Sequence, residues 1–216
     1  MTAPSQTTPR PTSAPAGAER SRPRRLFALA VNETMAPLPM VAIQSTGVLL
    51  HGQRPLAAFA LWWAVAAAFG TALPMVYLLR GVRLGHWIDH HVPKREHRVA
   101  PMVVTLISLL AGAAVMAAAG APSLLTESFT ATAVMLGVLI AVTFGWKISV
   151  HVAVVSGASV VLVVAFGLPA LPALLLAPLS AWARLEARAH TLAQTTAGAA
   201  VGLLVPAVFY TVIGAR

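Results

Sequence analysis

The fold of this chain is decided by residues 128–167, which read SFTATAVMLGVLIAVTFGWKISVHVAVVSGASVVLVVAFG. Lys147 is the one charged residue in this stretch, and it separates two apolar segments. An apolar helix of about 20 residues crosses the roughly 30 Å hydrocarbon core of a bilayer. Inside lipid the backbone has to satisfy its own hydrogen bonds, so both segments are predicted to be membrane-spanning helices.

The same pattern continues on both sides of this stretch. Of the 216 residues, 58% are hydrophobic and 10% are charged, whereas an average soluble domain has roughly 25% charged residues. The chain has seven apolar segments, at residues 26–50, 56–79, 99–120, 128–146, 148–167, 168–183 and 190–214. We therefore predict an all-α polytopic membrane helix bundle with about six to seven transmembrane helices.

The N-terminal residues differ in composition from the rest. Residues 1–25 are rich in Pro, Ser, Thr, Ala and Arg, which predicts a disordered basic tail. Residues 26–216 are predicted to form a single transmembrane domain. Asn32, Pro37 and Pro39 interrupt its first segment, so the first part of that segment is predicted to lie in the membrane interface. Because there is no cysteine, disulfides, thiolate metal sites and thiol nucleophiles are excluded.

Three polar islands lie between the apolar segments. They are RGVRLGHWIDHHVPKREHR at 80–98, WKISVH at 146–151 and ARLEARAHTLAQ at 183–194. Two segments separate each island from the next, and an even number of crossings returns the chain to the same side. The islands contain both lysines and six of the seven histidines. We therefore expect the ionisable chemistry of the protein to meet on one face of the bilayer.

The distribution of charge indicates which face this is. The formal net charge is +9, and the tail, which is predicted to share the face of the islands, carries five arginines. The positive-inside rule then predicts a multi-pass protein of the cell (inner) membrane with tail and islands in the cytoplasm. Because the basic residues lie at the ends of spans, lipid headgroups and anionic substrates are expected as partners, and nucleic acid is not.

Many cations with few carboxylates favour binding of an oxyanion, since Arg grips phosphate with paired donors and Lys adds a point charge. Lys147 and His151 are four residues apart, which predicts one helical face. The alternative for the Arg residues is that they anchor the topology. Asp89, His90, His91 and His97 match no specific metal pattern, and magnesium-dependent diphosphate chemistry needs clustered carboxylates. We expect no metal and no cofactor.

The islands read DHHVPKREHR at 89–98, WKISVH at 146–151 and WARLEARAHTLAQ at 182–194. In this order they resemble the three motifs of the type 2 phosphatidic acid phosphatase superfamily, which also includes vanadium haloperoxidases. The match is nearest to a membrane branch with DHHV-x-x-R-x-x-R, WKIS-x-H and R-x5-H-T-x-x-Q. The resemblance covers residues 80–200 and implies a lipid phosphatase fold.

The resemblance also implies roles for individual residues. His190 would be the nucleophile that forms a phosphohistidine, and His151 would be the general acid. Gln194 would orient His190, and a loop would separate His190 from Arg184. Phosphate would be bound by Lys94, Arg95, Arg98, Lys147, Ser149 and Arg184. Supporting positions in the first motif would be Asp89, His90 and His91.

Several positions depart from the common pattern of the superfamily, among them His91 in place of the usual lysine and Val99 in place of the proline after Arg98. Val150 stands where a glycine is usual, Ala183 where a serine precedes the arginine, and Gln194 where an aspartate follows the nucleophile. An amide oxygen can orient the ring of His190, but it supplies no negative charge to an imidazolium.

Three functions remain open from the sequence. The first is a phosphohydrolase acting on a lipid or isoprenoid phosphate or diphosphate in the bilayer. The second is an enzyme of the terpene synthase or prenyltransferase type, which ionises an isoprenyl diphosphate in the same pocket and shelters the cation with apolar side chains and tryptophans. The third is a non-catalytic binder of lipid phosphates.

Overall fold

The computed structural model describes residues 22–86 and 95–214, with only the backbone given for residues 95–98 and 214. In these ranges the chain is helical and contains no strand. Its α-helices are α1 (Arg22–Thr34), α2 (Pro37–His51), α3 (Leu56–Ala67), α4 (Leu73–Arg83), α5 (Arg95–Ala118), α6 (Ser123–Gly145), α7 (Val150–Phe166), α8 (Leu176–Glu186) and α9 (Leu192–Gly214). A π-helical turn, Ala68–Ala72, joins α3 to α4, and a 3₁₀ segment, Leu168–Leu175, leads into α8.

Every predicted apolar segment is helical, but the first is divided into α1 and α2 and the second into α3 and α4. Five stretches are long and apolar enough to cross a membrane: Leu56–Arg83, Val99–Ala118, Ser123–Gly145, Leu168–Glu186 and Leu192–Ile213. The bent pair α1–α2 makes a sixth if it counts as one span, and α7 is shorter with 17 residues. Helices of this length and composition indicate a membrane protein. The prediction of an all-α polytopic bundle is confirmed.

The centre of the bundle is formed by α6 and α7. Residues 151–159 of α7 are all buried, including His151 at the start of the run and Ser156 and Ser159 further along. The two serine hydroxyls donate to backbone carbonyls one turn earlier in the helix, at 2.8 and 2.9 Å, so their burial leaves no unpaired donor. A helix that is buried on every side suits an apolar sequence without a polar stripe.

Close packing of α7 against α9 depends on two glycines of α9. A Cβ added at Gly198 would lie 2.5 Å from the carbonyl oxygen of Ser149, and one at Gly202 would collide with the carbonyl oxygen of Ala153. Small residues four apart allow two helix backbones to approach each other in this way. The sequence pattern of Gly198 and Gly202 thus serves contact with the helix that begins at the second polar island.

We expect Gly198→Ala to destabilise the protein by about 1–3 kcal/mol, because the added methyl group overpacks the α7–α9 contact at Ser149. Thermal unfolding in detergent would measure the effect. Gly137→Ala is the matched control, since a Cβ there meets nothing within 4 Å and alanine is the better helix former. Equal melting temperatures for the two variants would contradict the packing account.

The N-terminal boundary of the helical domain was predicted wrongly. Residues 22–25 were assigned to the disordered tail, but α1 begins at Arg22. In this first part of α1, Arg24 Nη2 lies 3.0 Å from Glu186 Oε2 of α8, a tertiary contact that the local sequence does not reveal. The remaining predicted tail, residues 1–21, lies outside the described residues.

The first apolar segment is bent by 63° between α1 and α2. Pro37 and Pro39 explain the break, since proline fits the first turn of a new helix but not the interior of a continuing one. One face of α1 packs inward through Ala28, Val31 and Asn32, while Arg22 and Arg25 are exposed. Such an amphipathic helix is typical of the membrane–water interface, and the location of α1 there stays a prediction.

Candidate active site

The second and third polar islands meet at one end of the bundle. The backbone N–H of Ser149 donates to the carbonyl oxygen of Gln194 at 3.2 Å. Nearby, Lys147 Nζ donates to the carbonyl oxygen of Ala189 at 2.8 Å. About 40 residues separate the partners in sequence, so the second and third islands are in contact as expected, while the face of the membrane on which they lie stays a prediction.

The third island contains the predicted loop between Arg184 and His190. Helix α8 ends at Glu186 and α9 begins at Leu192, so Arg184 lies in the last turn of α8 and His190 lies in the connection. Arg188 adopts the left-handed region with φ of 52°, which lets the chain reverse there. The loop therefore brings two side chains that lie six residues apart to the same cavity.

Lys147 and His151 do not share a helical face, contrary to the prediction. Residues 147–149 are irregular, and α7 begins only at Val150. Lys147 is instead held by its hydrogen bond to Ala189 in the loop before α9. A spacing of four residues puts two side chains on one face only where the backbone between them is helical.

The ring of His190 is oriented by Gln194, as predicted, with Nδ1 3.0 Å from Gln194 Oε1. The same amide oxygen accepts the backbone N–H of Thr191 at 3.2 Å. Because a backbone N–H only donates, the shared atom must be the amide oxygen, and the His190 Nδ1 beside it must carry a proton. In the neutral imidazole the other ring nitrogen, Nε2, is then the one without a proton.

Arg184, His151 and His190 line one cavity inside the bundle. Their exposed fractions are 8%, 9% and 8%, so three ionisable side chains are almost withdrawn from solvent. The cavity has a volume of about 150 Å³. Its remaining wall is mainly apolar and comes from α2, α4, α5, α6 and α7, with Leu38, Val41, Met75, Leu78, Met102, Leu109, Met135, Leu136 and Val154.

Ser149 lies directly before α7 and is fully buried. Its backbone is tied to Gln194, but its hydroxyl oxygen has no hydrogen-bond partner among the described residues. A buried hydroxyl without a partner costs about 1–3 kcal/mol. Ser149 is not among the residues that line the cavity, but the next two residues, Val150 and His151, are, so its hydroxyl is a candidate for a hydrogen bond to a ligand.

The first island is described only in part. Asp89, His90, His91 and Lys94 lie outside the described residues, and of Arg95 and Arg98 only the helical backbone of α5 is given. Pro101 and Met102 of the same helix line the cavity, and Arg98 precedes Met102 by four residues, about one turn. The first island therefore leads into a helix of the site, while the roles of its side chains stay predictions.

Asn32 is the residue of this region that sequence reasoning missed. It was noted only as an interruption of the first apolar segment, yet it is 6% exposed and hydrogen bonds to α8 beside the site. An amide within an otherwise apolar stretch was the available signal, since polar groups in such segments cost free energy.

No three His, Asp or Glu side chains among residues 22–86 and 99–213 are placed to hold a metal ion.

Fold and site together define a polytopic helical membrane protein with buried His and Arg side chains at one end of an apolar cavity. No known protein family model, characterised protein or solved structure matches the chain.

Proposed function

We propose that this protein is a membrane phosphohydrolase of the type 2 phosphatidic acid phosphatase superfamily, acting on lipid or isoprenoid phosphates or diphosphates through a phosphohistidine. The observation that carries the proposal is His190: Gln194 Oε1 holds Nδ1 of its ring, which makes Nε2 the nucleophilic nitrogen of the neutral imidazole, and the same cavity contains Arg184 and His151. A buried, oriented imidazole beside a guanidinium has the parts that nucleophilic attack on a phosphate requires.

In the proposed reaction, His190 Nε2 attacks the phosphorus atom and the bond from phosphorus to the leaving oxygen breaks. His151 gives its proton to that oxygen, which leaves as the lipid alcohol or, from a diphosphate, as the monophosphate. Water then attacks the phosphohistidine, His151 takes up a proton from it, and orthophosphate leaves with His190 restored. Arg184 and the Ser149 hydroxyl hold the phosphate oxygens in both steps.

The shape of the cavity supports a substrate with a hydrocarbon chain. His151, Arg184 and His190 are its polar lining groups apart from two threonines, and the remainder is apolar. A volume of about 150 Å³ in an apolar protein interior accommodates a group of the size of benzene. The carbons nearest the phosphate would therefore fit inside the bundle.

We further propose that the site faces the cytoplasm of the cell membrane, because the N-terminal tail, which is predicted to lie on the same side, is rich in arginine.

The proposal is tested by a turnover assay on the purified protein. Substrates are farnesyl, geranylgeranyl and undecaprenyl mono- and diphosphates and phosphatidic acid, and orthophosphate, pyrophosphate and extracted products are measured together. Orthophosphate with the matching alcohol or monophosphate is the expected result. Binding of these lipids without turnover would instead identify a non-catalytic lipid-phosphate binder.

A second candidate is an enzyme that ionises isoprenyl diphosphates, and the apolar wall of the cavity favours it. Arg184 and the histidines would draw off pyrophosphate, and the cation would remain among aliphatic side chains. None of the described tryptophans, Trp62, Trp63, Trp146 and Trp182, lines the cavity, so an aromatic lining does not support this reading. Pyrophosphate with a rearranged or cyclic hydrocarbon would be its signature in the same assay.

A further inference from the structure

The apolar part of the cavity has a definite depth along α5 and α6. On α5 its wall runs from Pro101 to Leu109, eight residues that rise by about 12 Å. On α6 the deepest lining residue is Thr132. Leu109 lies nine residues before the end of α5 and Thr132 nine residues after the start of α6, so the two residues of these antiparallel helices lie at the same level. The cavity therefore ends inside the bundle.

One aromatic ring lies directly beyond this level. Phe129 precedes Thr132 by three residues on α6 and is fully buried. A Cβ added at Gly70 would lie 3.0 Å from Cζ of its ring, and one added at Gly112 would lie 3.2 Å from Cε1. The tip of the ring thus occupies a notch between two residues without side chains, one on the π-helical turn and one on α5.

The notch adjoins the wall of the cavity. The Cβ added at Gly70 would also lie 2.6 Å from Cγ1 of Val41, which lines the cavity. Gly112 follows the lining residue Leu109 by three positions and shares its helical face. The ring of Phe129 therefore lies immediately behind the deep end of the cavity.

Two hydrogen bonds tie the π-helical turn to the helices on either side of it. Ser108 Oγ of α5 donates to the carbonyl oxygen of Phe69 at 2.6 Å. Thr71 Oγ1 donates to the carbonyl oxygen of Leu38 in α2 at 3.1 Å. Because the notch is fixed from both sides, the aromatic ring within it has little room to move aside for a longer ligand.

We propose that Phe129 is the floor of the hydrocarbon subsite and restricts the substrate to a phosphate or diphosphate of a short chain, one or two isoprene units long. The cavity volume of about 150 Å³ suits a group of the size of benzene, and the depth of about 12 Å suits a chain somewhat longer. This inference rests on the proposed function and narrows its substrate class. A longer chain would have to displace the ring or leave part of its length outside the cavity.

The test measures kcat/KM for dimethylallyl, geranyl, farnesyl and geranylgeranyl diphosphates with wild type, Phe129→Ala and Phe129→Leu. Wild type is expected to favour geranyl over geranylgeranyl diphosphate by about tenfold or more, the discrimination that an apolar pocket gives against excess methylene groups. Phe129→Ala should reduce this preference about tenfold, mainly by accelerating the long substrates, and Phe129→Leu should lie between. A gain on a long substrate is not produced by loss of stability.

The matched control is Leu49→Ala. Leu49 is fully buried on α2, eight residues after Val41 and thus about 12 Å farther along the helix. Its truncation also removes core volume and should lower the melting temperature, but it should leave the chain-length preference unchanged. All variants are assayed well below their melting temperatures, and Phe129→Leu decides the question if Phe129→Ala does not fold.

Three outcomes would overturn the role of Phe129 while turnover by wild type upholds the proposed function. They are a wild-type preference for geranylgeranyl diphosphate, an unchanged preference in the folded Phe129 variants, and an equal change in Leu49→Ala.

The rise in melting temperature with each diphosphate separates chain binding from catalysis. If wild type releases no phosphate but is stabilised more by geranyl than by geranylgeranyl diphosphate, and Phe129→Ala or Phe129→Leu removes that difference, the phosphohydrolase proposal fails and the floor remains as part of a binding site. If no chain length is turned over and none stabilises the protein, both fail.

Discussion

His190→Ala is expected to lower phosphate release by a factor of about 10³ or more, down to the rate that the remaining cavity supports. The nucleophile is removed, and no other imidazole among the described residues is held by Gln194. His190→Asn should lose activity to a similar extent, although asparagine is polar and its size lies between those of alanine and histidine. Release of orthophosphate from the best substrate of the panel would measure both variants.

The control for His190 is His51→Ala. His51 ends α2, fourteen residues after the cavity-lining Pro37, which places it about 20 Å away along the helix axis. Its ring packs against Phe166, which is not a residue of the proposed site, so activity should be unchanged. Retention of more than a tenth of the activity by His190→Asn would rule out a phosphohistidine at this position.

Arg184→Ala is expected to lower kcat/KM by about 10²–10³, the cost of removing one preorganised donor to a developing oxyanion. Arg184 is 8% exposed and lines the cavity together with His190, so water screens its charge only weakly. Arg184→Lys should fall between wild type and alanine, because it keeps a positive charge but lacks the planar fork of donors.

The matched control for Arg184 is Arg54→Ala, an exposed arginine in the connection from α2 to α3 at the opposite end of the bundle. It removes the same charge without touching the cavity, and wild-type kcat/KM is expected. A lysine variant as inactive as the alanine variant would show that the geometry of the guanidinium dominates over its charge. Unchanged kinetics in Arg184→Ala would remove the residue from the proposed phosphate site.

Much of the fold could be predicted because its signal is local. A long uncharged segment forms a helix whichever neighbour it meets, since its backbone hydrogen bonds lie within the segment. The parity of the crossings then predicted that residues 146–151 and 183–194 share one end, and the contact of Ser149 with Gln194 bears this out. The hydrogen bond from His190 to Gln194 was also predictable, because its partners are four residues apart.

The remaining features depend on which helix faces meet. α6, α7 and α9 are apolar around most of their circumference, so no polar stripe in their sequences indicates the inward face. Helix α7 begins at Val150, which separates Lys147 from the helical face of His151, and Ser149 just before it shows a close fit against Gly198. That fit is a property of two packed backbones.

Sequence alone thus predicted a chain of apolar helices, their order and the meeting of the second and third polar islands. Tertiary structure alone decided that Asn32 contacts Arg184, that Arg24 pairs with Glu186, and that His151 and His190 line an apolar cavity. The physical reason is the range of the interactions. Helix formation in an apolar environment is settled within a few turns, whereas a buried polar contact between distant segments exists only after the helices have packed.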